Sequence, residues 1–213
     1  MRYDRVTLWL HGGFAAGVST QLLVGLMMQA PRVGVPVDSI GHHLFAIHRM
    51  IGIFLAIVLA VHWAWQLAGR ASNGMANLFP WFHAKRRSAV WRELKLFATF
   101  RYFGTPKRMD NLAGAVHGLG LLTGSFLALT GLVLYYGLAP DGGGSAATMA
   151  VEHLHYATAC LMWTFMGGHV LMSFRYNSRV SFPSAAPGAD PQPSGDDRTS
   201  RITRGAPTPQ NTR

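Results

Sequence analysis

Four long stretches with almost no charged side chains constrain the fold of this chain most strongly. They cover residues 6–28, about 42–68, about 112–138 and about 149–174. The charged residues inside them are Arg49 and Glu152. Each stretch exceeds the ~20 residues with which an α-helix crosses a ~30 Å hydrocarbon layer. Because 49% of all residues are hydrophobic and cluster in these runs, the sequence predicts an all-α membrane protein with a bundle of four transmembrane helices.

The positive charge lies between the hydrophobic runs. The net charge is +10, and seventeen of the nineteen Lys and Arg residues lie before the first run, between the second and third, or after the fourth. A nucleic-acid-binding protein would carry them on one folded basic surface, so we expect no nucleic-acid partner. The positive-inside rule places both termini and residues 69–111 of this multi-pass membrane protein in the cytoplasm.

The segments outside the runs have distinct compositions. Residues 29–41 and 139–148 are short, poor in charge, and expected to face outward. Within the basic segment, residues 91–103 mix apolar and basic side chains and predict an amphipathic helix at the membrane surface. Asp110-Asn111 is a candidate N-cap for the third spanning helix. Residues 177–213 are rich in Pro, Ser, Gly and charge and predict a disordered cytoplasmic tail after a membrane domain at 1–176.

Histidines repeat with one spacing on two of the runs. His48 and His62 lie fourteen residues apart on the second run, and His155 and His169 lie fourteen apart on the fourth. Fourteen residues of helix turn through about 1400°, close to four full turns, and climb ~21 Å. Each pair therefore lines one helix face, with one imidazole near each side of the membrane. Imidazoles are costly in lipid and usually have a function there, so two layers of histidines point to two stacked metal centres.

The histidines divide by depth into a two-histidine layer and a four-histidine layer. The two-histidine layer, near the predicted outer surface, consists of His48 and His155. The four-histidine layer, near the predicted cytoplasmic surface, consists of His11, His62, His117 and His169. The two-histidine layer offers one pair of metal ligands, whereas the four-histidine layer offers four candidates for two axial positions. A structural hydrogen-bonded pair is the alternative for the first layer.

Haem suits this ligand set better than zinc does. Zinc takes three or four protein ligands, whereas two imidazoles from opposite helices fill the two axial positions of a planar haem. With both positions filled, the chemistry is one-electron transfer and not oxygen binding. The single cysteine, Cys160, excludes a Cys-rich iron–sulfur cluster. Arg49 on one side, and Arg2, Arg5 or Arg175 on the other, are candidates to contact haem propionates or to anchor lipid headgroups.

Glycines in the runs have two readings. They allow helices to pack closely, and they would also let a flat macrocycle approach the backbone. The glycines in question are Gly12, Gly13, Gly17, Gly114, Gly118 and Gly120. Exposed glycine-bearing faces also allow a homodimer.

With these residues in place, the chain resembles the bacterial cytochrome b-561 family and its relatives, the cytochrome b subunits of nickel–iron hydrogenase and formate dehydrogenase. The similarity covers residues 1 to about 176. Its pieces are Tyr-Asp-Arg-x5-His at 3–11, His-Arg-x2-Gly at 48–52, Asn-x2-Gly at 111–114, Thr-Gly-Leu at 130–132 and the His155/His169 pair. Each is weak alone, and together in this order they are fairly specific.

The resemblance implies a pairing of the iron ligands. It pairs His11 with His169 at one haem b and His48 with His155 at a second haem b. One departure is His62, which stands where many members carry arginine; ligation by His62 in place of His11 is the alternative, and otherwise it could contact a propionate or relay protons. His117 matches a frequent third-span histidine, with a quinone-site, propionate or packing role.

The predicted function is transmembrane electron transfer by a di-haem cytochrome that exchanges electrons with quinone. The protein would serve as the membrane subunit of a dehydrogenase or hydrogenase, or as a free-standing quinol oxidoreductase, and by itself it is an electron carrier more than an enzyme. Its other partners are membrane lipids. The rival hypothesis is a small transporter or proton channel whose histidines act without haem, and a weaker one is a helical scaffold that contributes packing alone.

Overall fold

The structure is a computed structural model that describes residues 4–36, 39–70, 74–99 and 110–177, and its long elements there are helices. Four helices are long and apolar enough to cross a membrane. They are α1 (Arg5–Met27), α2 (Ser39–Leu67), α5 (Asp110–Gly137) and α6 (Ala146–Asn177). The predicted all-α fold with four spanning helices is therefore confirmed. The predicted disordered tail, apart from Asn177, lies outside the described residues.

The described part of the segment between the second and third spanning helices is largely helical. It contains α3 (Gly74–Leu78), a 3₁₀ turn (Pro80–Phe82) and α4 (Ala84–Ala98). The predicted amphipathic helix thus begins seven residues earlier than expected, and residues 100–103 of the prediction lie outside the described part. On α4, the side chain of Trp91 is exposed. Four basic side chains of the same helix are exposed as well: Lys85, Arg87, Arg92 and Lys95. This mixture is typical of a helix at the membrane surface.

Two glycines of α5 allow the backbone of α3 to pack directly against it. A Cβ atom added at Gly114 would collide with the carbonyl oxygen of Asn77, and one added at Gly118 would collide with that of Leu78. Leu78 is 3% exposed and joins a buried cluster with Leu59 and Leu121. Residues 74–82 are therefore packed into the end of the bundle where α2 ends and α5 begins.

A carboxylate from α4 supplies the hydrogen-bond acceptor at the start of α5. Glu93 accepts the backbone N–H of Leu112 at 2.7 Å and the side-chain amide of Asn111 at 2.9 Å. The first backbone N–H groups of a helix lack partners within the helix, and an anionic acceptor there is favourable. Asp110 is the first described residue of α5, and Glu93, nineteen positions before Leu112, contributes a capping acceptor from another helix.

The spanning helices pack around two small apolar clusters. One joins Val18 and Leu22 of α1 to Leu55 of α2 and Met162 of α6. Most other apolar side chains on these helices are exposed, as expected for surfaces that face lipid. The backbone of α2 lies close to the backbones of α1 and α5. No described helix makes a backbone contact of similar extent with α6. Helices in direct contact lie 8–10 Å apart, so α6 is spaced more widely from its neighbours.

The structure separates glycines that pack against another helix from glycines that border open space. A Cβ at Gly17 would meet Leu55, and one at Gly120 would lie 2.5 Å from the ring of Phe165, so these glycines serve helix packing. At Gly12 and Gly13 an added Cβ would meet nothing within 4 Å. Open space beside His11 is therefore compatible with a flat group or with lipid.

We expect Glu93→Ala to loosen the start of α5 because it removes both acceptors of Leu112 and Asn111. The loss should be about 1–2 kcal/mol of local stability, measured as roughly tenfold faster hydrogen exchange at the Leu112 amide. Glu93→Gln keeps one carbonyl acceptor and is the matched control, with a smaller effect. Unchanged exchange in Glu93→Ala would contradict the capping role.

Candidate functional site

The two-histidine layer brings α2 and α6 together through their side chains. The ring centroids of His48 and His155 lie 6.4 Å apart, with the ring planes at 81°. Both rings are only partly exposed, between the ends of long apolar helices. The pair that the sequence predicts for this layer is therefore in place.

Thr130 of α5 orients the ring of His155. Its hydroxyl lies 2.8 Å from His155 Nδ1 and also donates to the carbonyl of Phe126 at 2.8 Å. Because the single hydroxyl hydrogen goes to the carbonyl, the oxygen accepts from Nδ1–H, and His155 Nε2 is left unprotonated as a potential metal ligand. Gly131 leaves room for the ring, since an added Cβ would lie 3.3 Å from His155 Cε1. This explains the Thr-Gly pair in the motif at 130–132.

The surroundings of His48 are different. Gln21 of α1 donates its amide to the backbone carbonyl of His48 at 2.9 Å, which ties α1 to α2 at this depth. His48 Nδ1 and Gln21 Oε1 are buried and have no hydrogen-bond partner among the described residues. Gly25, one turn further along α1, faces the ring at van der Waals distance. No sequence pattern marks this glutamine, because a single Gln inside an apolar run has no distinctive spacing.

The four-histidine layer contains a compact triad. The ring centroids of His11 and His169 lie 6.0 Å apart, and His117 lies 5.2 Å from the first and 5.3 Å from the second. One ring nitrogen from each of these three residues falls within 4.8 Å of the others. His117 Nδ1 is 2.8 Å from the carbonyl of Ala113, which leaves its Nε2 toward the triad. The ring of Phe165 stacks on that of His169, with the ring centroids 5.7 Å apart, and restricts its orientation.

His62 is the member of this layer that stands apart. It makes no ring contact with His169 in the described part of the chain, and the metal-ligand triad does not include it. It is close enough to interact electrostatically with His117 and with Asp4. Its Nδ1 is buried and has no partner among the described residues.

The spacing of two of these pairs suits axial ligation of one metal ion. A metal–imidazole bond is ~2 Å long and the ligating nitrogen lies ~1.1 Å from the ring centre, so rings on opposite sides of one ion have centroids ~6 Å apart. The separations of 6.4 Å for His48 and His155 and 6.0 Å for His11 and His169 match this value. The pairs that involve His117 are shorter by nearly 1 Å. Together with the wide spacing of α6 and the orphaned His48 Nδ1, the residues fit a flat group with two axial imidazoles in each layer.

The predicted cationic residues lie near the two layers. The guanidinium of Arg49, next to His48, stacks over the ring of Tyr135 at 4.3 Å and lies 5.8 Å from that of Phe45. Arg5 is exposed in the first turn of α1, less than two turns before His11. Arg2 and the side chain of Arg175 lie outside the described part of the structure.

The remaining histidines are outside both layers. His42 and His43 line a cavity of about 710 Å³ between the two short connections, together with Arg32 and Asp141. His153 is exposed on α6, and His83 is exposed just before α4.

The comparisons with known proteins give one match. The family model described as prokaryotic cytochrome b561 matches residues 2–181, which is most of the chain. No curated protein and no solved structure matches the chain.

Proposed function

The chain belongs to the prokaryotic cytochrome b561 family, and from that premise we propose how its histidines serve electron transfer. As a member of this family it is a multi-pass membrane protein that transfers electrons by means of b-type haem. We propose that it holds two haems, one between His48 and His155 and the other between His11 and His169. The observation that carries this proposal is the ~6 Å separation of the rings in both pairs.

The choice of His11 over the other two candidates rests on geometry. His117 lies nearer to His169 than two axial ligands of one iron would, and His62 makes no ring contact with His169 in the described residues. His117 has its Nδ1 bonded within its own helix and is proposed to line the edge of this haem. Open space beside Gly12, Gly13, Gly167 and Gly168 on α1 and α6 gives a flat ring access to both proposed ligands.

When bound, haem would supply a one-electron couple at iron, held by His48 and His155 at one depth and by His11 and His169 at the other. The chain's residues hold the imidazoles in register, keep the rings apart and exclude water through apolar helices. His155 and His169 are ~21 Å apart along α6, so the two sites span most of the hydrocarbon layer. An electron that crosses this distance against the membrane potential costs ~2.3 kcal/mol per 100 mV.

The finer assignments concern partners and orientation. We propose exchange with quinone at the four-histidine end, where oxidation of one quinol to quinone releases two electrons and two protons. The basic residues of α4 favour an orientation with this end, both termini and residues 69–111 toward the cytoplasm of a bacterial inner membrane. Arg49 is proposed to contact a propionate at the other end. The same exposed face of α4 could bind the catalytic subunit of a dehydrogenase or hydrogenase. A free-standing quinol oxidoreductase would need no such subunit.

Single histidine substitutions should sort into two groups. His48→Ala and His155→Ala should each lose the same haem, and His11→Ala and His169→Ala should each lose the other, because one imidazole cannot hold a low-spin site alone. Haem content and reduced-minus-oxidised spectra of the purified full chain measure this. His153→Ala, on the exposed side of α6, is the matched control and should keep both haems. Retention of both haems in His11→Ala, with loss of one in His62→Ala or His117→Ala, would overturn the second pair.

Thr130→Val should raise the midpoint potential of the haem held by His155. A hydrogen bond from Nδ1–H makes the imidazole more basic and favours ferric iron, so its loss favours ferrous iron. A neutral hydrogen bond of ~0.5–1 kcal/mol corresponds to a shift of ~20–40 mV in redox titration. Thr130→Ser keeps the hydroxyl and should restore the original potential. The second haem serves as an internal reference, and an equal shift of both haems would refute a local effect.

A further inference from the structure

Three polar groups at the end of α2 are buried without partners. Gln66 is 2% exposed, and neither its amide nitrogen nor its amide oxygen has a hydrogen-bond partner within the described residues. The same holds for Trp65 Nε1 and His62 Nδ1. Buried polar groups in native proteins are almost always paired with protein, ordered water or a ligand. A cluster of four such atoms in one helical turn therefore points to something that binds there.

The three side chains share one face of the helix. Positions 62, 65 and 66 are related by i, i+3 and i+4, which places their Cβ atoms about 5–6 Å apart. The face continues the buried stripe formed by Leu55 and Leu59. If position 66 served packing alone, a leucine would suit it better than the glutamine that the chain has there.

The site also lies close to the four-histidine layer. His62 is itself a member of this layer, and Gln66 follows it by about one helical turn. A ligand bonded to both residues would therefore lie at the edge of the four-histidine layer. The stacked Trp63 and Phe79 on the neighbouring face of α2 show that this end of the bundle is rich in aromatic rings.

The orphaned atoms define the chemistry of the ligand. Trp65 Nε1 and Gln66 Nε2 are donors, and Gln66 Oε1 is an acceptor, while His62 Nδ1 serves as either. An ionised carboxylate, such as a haem propionate, offers acceptors alone and would leave Gln66 Oε1 unpaired. A hydroxyl group both accepts and donates. The membrane-soluble hydroxyl compound that the proposed function already requires is quinol.

We propose that His62, Trp65 and Gln66 form the hydrogen-bonding wall of a quinol headgroup site at the end of α2. The proposal rests on the proposed exchange of electrons with quinone and adds where the headgroup binds. Ordered water offers the same hydroxyl chemistry as quinol, and it is the alternative source that an experiment must separate.

The test measures binding of labelled duroquinol to the full-length, haem-loaded protein reduced with dithionite, where no turnover occurs. Gln66→Leu and Trp65→Phe should each raise Kd about tenfold, because each removes hydrogen bonds to the headgroup. Trp63→Phe is the matched control and should bind as the unmodified protein does, because Trp63 Nε1 donates to Ser125 at 2.9 Å and does not belong to the wall. Haem content and optical spectra should be unchanged in all three variants.

Three results would overturn the proposal in different ways. Wild-type affinity in both Gln66→Leu and Trp65→Phe would mean that the wall holds water. A shift of haem potential in Gln66→Leu with unchanged Kd would mean that it holds a propionate. If the unmodified protein neither binds duroquinol nor is reduced by it, the exchange with quinone itself fails. If the Gln66→Leu protein does not accumulate, Trp65→Phe alone provides the test. A tenfold higher Kd in that variant would support the quinol site, and wild-type affinity would mean that the wall holds water.

Discussion

The meeting of imidazoles from different helices is the constraint on which the rest of the structure depends. An imidazole inside an apolar bundle is unfavourable unless its nitrogens find partners. His155 and His169 of α6 each face an imidazole of another helix, the first at His48 of α2 and the second at His11 of α1, at separations that suit a shared metal ion. Since α6 makes little close backbone contact with the other described helices, side chains join it to the bundle, among them these histidines, Met162 and Phe165.

The two layers are built differently. In the two-histidine layer each ring has one facing partner, and Thr130 fixes the tautomer of His155. The four-histidine layer has more imidazoles than one iron can take, with His117 inside the triad and His62 beside it. The orphaned polar atoms of Trp65 and Gln66 lie at the same end. The four-histidine end therefore carries more polar side chains than two axial ligands would need.

The sequence alone predicted the parts of the fold that depend on the length of the hydrophobic runs and on the helical period. Hydrophobic length predicted the four spans to within a few residues, because the thickness of a membrane fixes the number of residues in a spanning helix. The fourteen-residue spacing predicted that His155 and His169 share a face and each meet a histidine of another helix, since helical period determines direction. Family membership likewise followed from short motifs in a fixed order.

What the sequence could not give depends on contacts between distant segments. Glu93 caps α5 from another helix, and no local pattern marks it as a cap. Gly114 and Gly118 looked equally suited to a macrocycle or a helix, and the carbonyl groups of α3 decide in favour of packing. The position of His117 beside both His11 and His169 depends on how three helices are rotated about their axes, which residue spacing on one helix does not determine.

The most direct test of the central claim is the ratio of haem to protein, combined with electron paramagnetic resonance of the oxidised full-length chain. Facing imidazole pairs at two depths predict two haems b per chain, both low-spin with two nitrogen axial ligands. A protein that accumulates in haem-replete cells with one haem, or with a high-spin ferric signal from a five-coordinate iron, would contradict the account.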